Sequence, residues 1–328
     1  MSKRLSKITL ICSLVIFVCC MGVMLYYADN KMIVIAGVAS DVSSGEDADS
    51  RKVTLLTIEH SDDTGEYFTI QMPEGMKPDR VAVENRYMDR EIWIYIDRAT
   101  IYDFTDTKIV GDVHSILSAY LQQAKDGLWI KMQMTGLYEC ETSLENGTLR
   151  VLAGKPKEFH ERIAVIDAAE NEISKDVAKR VKKRFEDSDI FVYFSGMDDA
   201  SASPEKRIGL ANDAKADFFL HIDTASAEDS DTFGIYGEYN KDLFTPEMDG
   251  YTLLDEVIRE TVLSTYSTGH KPLPGGDEEL LLKNAEVPSA ILYIGYTSNP
   301  QENLLLQKES YRERIAEGIY NGVCKVYE

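Results

Sequence analysis

Cysteine is scarce in this sequence, and its placement excludes several classes of protein. Three of the five cysteines (Cys12, Cys19 and Cys20) lie in one apolar segment near the N-terminus, and Cys140 and Cys324 are far apart. At most one disulfide can form outside the apolar segment, so a disulfide framework is excluded. The sequence has no C-x-x-C pair and no Cys/His cluster, which excludes a structural zinc site of that type.

Positive charge is also in short supply. The chain has 35 Lys and Arg residues against 56 Asp and Glu residues, for a net charge of −21. Such a chain repels phosphate backbones and anionic lipid headgroups, so we expect no nucleic-acid partner and no charge-driven binding to a lipid surface.

The sequence lacks a serine-hydrolase signature as well. It has no G-x-S-x-G motif, and its five histidines occur in no known triad spacing. We interpret His60, His114, His160 and His270 as ordinary surface or packing residues.

One long apolar run is present, close to the N-terminus. "ITLICSLVIFVCCMGVMLYY", residues 8–27, has no charge and is long enough to cross a bilayer. Lys3, Arg4 and Lys7 precede it, so the positive-inside bias predicts a cytoplasmic segment at 1–7, an anchor at 8–27 and an extracytoplasmic remainder. The alternative is a cleaved signal peptide, whose apolar region is normally shorter, and "AGVAS" further on keeps that alternative open. The expected location is therefore the cell membrane, with a single span.

The next part of the chain changes from a linker to a β-rich pattern. Residues 28–51 include "ASDVSSGEDADSRK", whose small and acidic residues indicate a flexible linker. Residues 52–155 contain short runs such as "REIWIYI" and "LWIKMQM", separated by turn signals, which predict a small, mainly-β, sandwich-like domain. One stretch, "VGDVHSILSAYLQQAKDG", has apolar residues at helical spacing and predicts a short helix within it.

From residue 160 to 328 strands and helices alternate. "RIAVIDAA" reads as a strand, and Ile173, Val177, Val181 and Phe185 form the i, i+4 stripe of the helix after it. The alternation predicts an α/β domain with a mostly parallel sheet and helices on both faces. Ligands on such sheets bind beyond the carboxyl ends of the strands, where the segment 167–172 and two further strand ends lie.

Three stretches of this second domain resemble the zinc-dependent N-acetylmuramoyl-L-alanine amidases of bacterial cell walls. "ANDAKADFFLHIDTAS" is similar to the family's A-N-x-x-x-A-D-x-F-(I/V)-S-I-H-x-N-A, and Arg207 stands at the arginine that precedes it. "VPSAILYIGYTSNPQENLLL", which contains Asn299, is similar to the closing P-A-(V/I)-L-V-E-x-G-F-x-S-N-x-x-E segment. "YRERIAEGIYNGVCKVY" resembles the final helix. The first domain more weakly resembles the β-sandwich domain that precedes such amidases and directs them to the envelope.

The resemblance implies a metal site, but this chain departs from it at key positions. Active members hold zinc with His, Glu and His, and a second Glu serves as the general base. The first histidine falls on Glu170, the ligand glutamate on Glu172, and the last histidine on Asp223, with His221 two residues before it. The catalytic glutamate falls on Tyr293.

These replacements alter the chemistry that the site can support. Carboxylates alone suit calcium, magnesium or manganese better than zinc, and three carboxylates without a cation repel one another. A zinc site that uses His221 with carboxylates stays open as an alternative. Tyr293, with an ordinary pKa near 10, is a poor general base at neutral pH, and losing general-base catalysis forfeits about 10²–10⁴-fold in rate.

The resulting hypothesis is a membrane-anchored, wall-facing protein with a catalytically degenerate amidase-like domain that binds or regulates at peptidoglycan. No cofactor is expected on this hypothesis. The competing hypothesis is an active N-acetylmuramoyl-L-alanine amidase with an altered site, holding zinc or a hard divalent cation at the carboxylates. A third hypothesis is a structural ectodomain whose partner is another envelope protein.

Overall fold

A computed structural model describes residues 53–197, 202–275 and 279–328. The chain divides after Gly154 into two compact units. The predicted cytoplasmic segment at 1–7, the predicted anchor at 8–27 and the predicted linker at 28–51 lie outside the described residues. None of the helices in the described ranges has the length and apolar character needed to cross a membrane.

The first unit consists of two five-stranded sheets, ordered β1-β7-β8-β5-β4 and β2-β6-β3-β10-β9. Its pairs are antiparallel except for β2 with β6. The strands are β1 (Val53–Leu55), β2 (Thr57–His60), β3 (Tyr67–Gln71), β4 (Val81–Arg86), β5 (Glu91–Asp97), β6 (Lys108–Gly111), β7 (Ile116–Gln123), β8 (Gly127–Met134), β9 (Glu139–Glu145) and β10 (Thr148–Gly154).

A single hydrophobic core joins the two sheets. Alternate residues of β5 (Ile92, Ile94 and Ile96) are buried in it, together with Ile70 of β3 and Val151 of β10. This period-two burial is what strands with one apolar face produce. Short 3₁₀ turns at Asp62–Thr64, Pro78–Arg80 and Ile101–Phe104 connect some of the strands.

The predicted helix in the first unit is wrong. The segment forms the end of β6, a turn and strand β7, which pairs with β1 and β8. The register shifts between Ile116 and Ser118, so Leu117 is an extra residue in the pairing and its side chain is exposed. This bulge interrupts the strict alternation and makes the apolar spacing resemble that of a helix.

The second unit is built on one six-stranded sheet, ordered β12-β11-β13-β16-β14-β15. All its pairs are parallel except β14 with β16, so the sheet is mixed but mostly parallel, as predicted. Its strands are β11 (Ile163–Ala168), β12 (Phe191–Ser195), β13 (Phe218–Ala225), β14 (Tyr236–Tyr239), β15 (Leu273–Pro274) and β16 (Ser289–Tyr296).

Helices cover both faces of this sheet. One face, with Ile166, Leu220 and Leu292, packs in a core with helices α2 (Glu172–Phe185), α4 (Gly250–Thr265) and α7 (Glu309–Val326). Helix α3 (Pro204–Ala214) contacts β11 and β13 from the other face. The helices are α1 (Pro156–Phe159), α2 (Glu172–Phe185), α3 (Pro204–Ala214), α4 (Gly250–Thr265), α5 (Leu280–Lys283), α6 (Pro300–Leu306) and α7 (Glu309–Val326).

The amphipathic pattern of α2 is confirmed. Val177, Val181 and Phe185 are buried, and Ile173 packs against the same core. Cys140 is buried in the first unit and Cys324 is half-buried in the second, and both are free thiols. Burial raises the pKa of the Cys140 thiol to about 12, so this thiol is unreactive at neutral pH.

Candidate functional site

Asp167, near the carboxyl end of strand β11, is fully buried and lies at the centre of a polar network. The Ser195 hydroxyl donates to its Oδ1 at 2.6 Å, and Arg207 Nη1 donates to its Oδ2 at 3.3 Å. His221 Nδ1 lies 2.6 Å from the same Oδ2. A buried carboxylate is costly unless it is paired and hydrogen-bonded, and these three partners provide that compensation.

The sheet register brings these side chains together. Asp167 lies opposite Ser195 on β12 and opposite His221 on β13. Residues two apart on a strand lie on the same face of the sheet. Helix α3 covers the face that carries Asp167, and this position brings Arg207 within hydrogen-bond distance of Asp167. Arg207 Nη1 also donates to the backbone oxygen of Ala168 at 3.1 Å. The arginine that the family resemblance singled out therefore ties α3 to the end of β11.

Asp223 lies two residues beyond His221 on β13, and the two side chains face the same side of the sheet. His221 Nε2 is 3.9 Å from Asp223 Oδ2. Asp223 Oδ1 accepts from the Thr224 N–H at 2.6 Å and from Asn171 Nδ2 at 2.9 Å. The Asp223 side chain is 31% exposed, so this end of the network is the part that solvent or a ligand can reach.

Glu170 and Glu172 are both exposed, and the residue between them is the one that contacts Asp223. Asn171 is the N-cap of α2: its Oδ1 accepts from the Ser174 N–H at 2.9 Å. Its amide nitrogen is therefore free to donate to Asp223, and the cap joins the start of α2 to β13. Glu172 is the first residue of α2, where an acidic side chain is favourable toward the helix dipole.

The arrangement does not fit a zinc ion held by three protein ligands. Within the described residues, no third His, Cys, Asp or Glu offers a ligand atom within 4.8 Å of both His221 Nε2 and Asp223 Oδ2. Glu170 and Glu172 do not join Asp223 in such a group. The assignment of these three carboxylates to a metal therefore stays a prediction, and we derive no chemical step from it.

Tyr293 lies directly opposite Asp223 on the neighbouring strand β16. It stacks on Tyr236 with ring centroids 4.6 Å apart, and Tyr236 also stacks with Tyr296 at 5.4 Å. Burial, followed by the negative charges of nearby carboxylates such as Glu238, raises the pKa of Tyr293 above its ordinary value. The phenol keeps its proton at neutral pH, so it can donate a hydrogen bond but cannot accept a proton from water.

Asn299 serves as the N-cap of α6. Its Oδ1 accepts from the N–H groups of Gln301 and Glu302, at 3.0 and 3.1 Å, and its Nδ2 donates to the Ser230 oxygen at 3.0 Å. The buried Glu302 carboxylate in turn accepts from the N–H groups of Gly234 and Tyr296. The S-N-x-x-E segment thus holds the end of β16 against the loop before β14.

Sequence reasoning missed the central role of Asp167 and the contributions of Ser195 and Asn171. The signal for Asp167 was present, because a charged residue ended an otherwise apolar strand. Nothing local to Ser195 distinguishes it, since its role depends on the register between β11 and β12.

Comparison with known proteins shows the family to which the second unit belongs. The family model described as N-acetylmuramoyl-L-alanine amidase matches residues 162–325, half of the chain. The germination-specific N-acetylmuramoyl-L-alanine amidase of Bacillus subtilis is 23% identical over 172 residues, which cover 48% of this chain and 70% of that protein. The B. subtilis N-acetylmuramoyl-L-alanine amidase LytC is 23% identical over 158 residues, which cover 48% of this chain but only 31% of LytC.

Among solved structures, the catalytic domain of CwlV, an N-acetylmuramoyl-L-alanine amidase from Bacillus (Paenibacillus) polymyxa var. colistinus, is 20% identical. The match has a TM-score of 0.45 and covers 50% of this chain and 97% of that one. Through residues 162–325, the chain belongs to the N-acetylmuramoyl-L-alanine amidase family.

Proposed function

We propose that this chain is a membrane-anchored, wall-facing protein whose amidase-family domain binds peptidoglycan without hydrolysing it. Membership of the N-acetylmuramoyl-L-alanine amidase family supports a ligand of this class, the muramic acid and stem peptide of the bacterial wall. The departures at the family's ligand and base positions argue that binding is retained and cleavage is lost.

The observation that carries the proposal is the state of Tyr293. Water attack on an amide needs a group that accepts a proton near neutral pH, and the family uses a glutamate at this position. Tyr293 is held in a stack with Tyr236, and burial raises its pKa further from the useful range. A neutral phenol here supports hydrogen bonding to a ligand and opposes catalysis.

The three tyrosines beside Asp223 form the binding surface in this proposal. Tyr236, Tyr293 and Tyr296 are each half-buried, and Tyr236 stacks against the other two rings, so the group combines apolar ring surface with phenol hydroxyls. Such rings contact the apolar faces of sugars and peptides while the hydroxyl donates or accepts hydrogen bonds. Asp223 adds one partly exposed carboxylate acceptor next to them.

The anchor and the first unit complete the proposal. The apolar segment at 8–27 would hold the chain in the cell membrane, with both units outside. In the first unit, the single core that joins two five-stranded sheets supports a sandwich-like domain, of the kind expected to direct the protein to the envelope.

An active amidase with an altered site is the second candidate, because one feature of the network favours it. Asp167 engages His221 Nδ1, which leaves Nε2 directed toward Asp223 Oδ2 at 3.9 Å. An imidazole oriented by a buried carboxylate is a suitable base or metal ligand.

Sedimentation with insoluble peptidoglycan tests the proposal. We expect the full chain to sediment with the wall and the Tyr296→Ala variant to sediment less. Tyr266, which is 86% exposed, provides the matched control: Tyr266→Ala should sediment like the parent protein. Failure of the parent protein to sediment would contradict wall binding and favour a scaffold that binds another envelope protein.

A further inference from the structure

A group of side chains of the types that bind metals lies in the first unit, whose residues precede the amidase-family domain. His60, Asp112 and His114 each offer one ligand atom, and these atoms all lie within 4.8 Å of one another. Within the described residues this is the group of three that meets that distance. It was not expected from the sequence, because His60 and His114 are far apart along the chain.

The fold holds these residues together through the parallel pair β2–β6. His60 ends β2 and lies opposite Gly111, the last residue of β6. The Ser61 N–H donates to the Gly111 oxygen at 3.1 Å, and the Asp112 N–H donates to the Tyr67 oxygen at 3.0 Å. The two strand ends are therefore fixed by backbone hydrogen bonds, and the side chains that follow them meet.

Gly111 permits this close approach. Its φ is +133°, and a Cβ at this position would lie 2.3 Å from the Tyr67 oxygen and 2.4 Å from Thr64 Oγ1. Only glycine adopts such a conformation readily in so tight a space. The chain can then turn directly into Asp112 and His114 beneath the 3₁₀ turn at Asp62–Thr64.

The two imidazoles face one another closely. Their ring centroids are 4.6 Å apart, and the backbone N–H of His114 donates to Asp112 Oδ1 at 3.4 Å. Asp62 Oδ1 is 3.2 Å from His60 Nε2, which brings a second carboxylate to the same ring. Two imidazoles that meet beside two carboxylates, in a chain with a net charge of −21, form a favourable environment for a cation.

The set of donors indicates which cation. Two nitrogen ligands and one carboxylate suit zinc and neighbouring transition metals, whereas calcium and magnesium prefer oxygen alone. Donors on a tetrahedral zinc ion with bonds of about 2.0–2.1 Å lie roughly 3.3 Å apart, so small rotations of these side chains close the site. The His60 side chain is 46% exposed, which leaves it free to make such a rotation.

We propose that His60, Asp112 and His114 form a zinc-binding site that links the end of β2 to the segment after β6. The site lies in the first unit and does not depend on the function proposed for the second. Zinc bound there would stabilise the folded first unit, because an ion that binds only the folded state shifts the unfolding equilibrium.

Tryptophan fluorescence isolates this effect. The chain has two tryptophans, Trp93 and Trp129, and both belong to the first unit. We expect the tryptophan transition of the full chain to have a higher urea midpoint with zinc than with a metal chelator. The double variant His60→Gln/His114→Gln should lose this shift and bind zinc at least about tenfold more weakly in competition with a chromogenic chelator.

Matched variants separate this site from others. Asp112→Asn should weaken zinc binding, whereas Asp63→Asn, in the adjacent turn, should not. His221→Gln, in the second unit, should retain both the zinc and the midpoint shift. If zinc leaves the tryptophan transition of the parent protein unchanged, or if the double variant binds zinc as tightly as the parent, the proposal is overturned. X-ray absorption of the zinc-loaded parent protein needs no variant and should count two imidazole ligands; a shell without imidazole would contradict the site.

Discussion

Asp167 Oδ2 lies 2.6 Å from His221 Nδ1, and this buried pair connects two adjacent parallel strands of the second unit. Arg207 Nη1 donates a hydrogen bond to the same oxygen. The pair leaves His221 Nε2 directed toward the partly exposed Asp223, whose Oδ2 lies 3.9 Å away.

Removing the carboxylate of this pair should destabilise the second unit. Asp167→Asn leaves Arg207 without its buried counter-ion, and breaking such a pair typically costs about 3–5 kcal/mol of unfolding free energy. Urea unfolding, monitored by far-UV circular dichroism, measures this loss of unfolding free energy in the second unit, because the described α-helices all belong to that unit. Asp187→Asn, at an exposed position, is the control, and a loss equal to that of the control would contradict the structural role of Asp167.

The tyrosine stack should make the second unit less stable in alkaline solution. An unfolded tyrosine ionises near pH 10, whereas burial raises the pKa of Tyr293 in the folded state. The folded state therefore retains a proton that the unfolded state loses. The stabilisation is complete below about pH 10 and is lost as the pH rises from there through the folded-state pKa, by up to about 1.4 kcal/mol per pH unit.

Tyr293→Phe isolates this effect. The variant removes the ionising group, so its unfolding free energy should fall less steeply above pH 10 than that of the parent protein. Tyr266→Phe, at an exposed position of the same unit, should keep the slope of the parent. Identical slopes for the parent and Tyr293→Phe would show that the phenol is not held in its protonated form.

Asn171 should contribute through two separate hydrogen bonds. Asn171→Ala removes both the N-cap of α2 and the donor to Asp223, and loss of a cap alone costs about 0.5–2 kcal/mol. Asn171→Ser retains a capping oxygen and loses the donor, so it should recover most of the cap contribution. Urea unfolding of the two variants measures how much unfolding free energy each one loses. Equal losses would mean that the contact with Asp223, rather than the cap, dominates.

The alternation of strands and helices made the second unit predictable. The apolar stripe of α2 and the mostly parallel sheet follow from local periodicity, which the sequence displays directly. The antiparallel direction of β14 could not be predicted, because the direction of a strand depends on the route of the chain between elements rather than on the strand's own residues.

Two features could not be predicted, for related reasons. The helical spacing around β7 arises from a bulge at Leu117, which is defined only by the pairing with β8. The meeting of His60 with His114 depends on the parallel pairing of β2 with β6. Both depend on the register between strands, and a single sequence does not encode that register in any local pattern.

Amide hydrolysis is the most direct test of the central claim that the amidase-family domain keeps the fold of the family but does not hydrolyse peptidoglycan. The His60→Gln/His114→Gln variant should be used, because it removes the zinc proposed for the first unit. Purified peptidoglycan is incubated with this variant and zinc, with an active amidase as the positive control, and released muropeptides are quantified. We predict no release above the buffer blank and no bound zinc. Stem-peptide release that disappears in Asp223→Ala, together with one equivalent of zinc that depends on Asp223, would contradict the account.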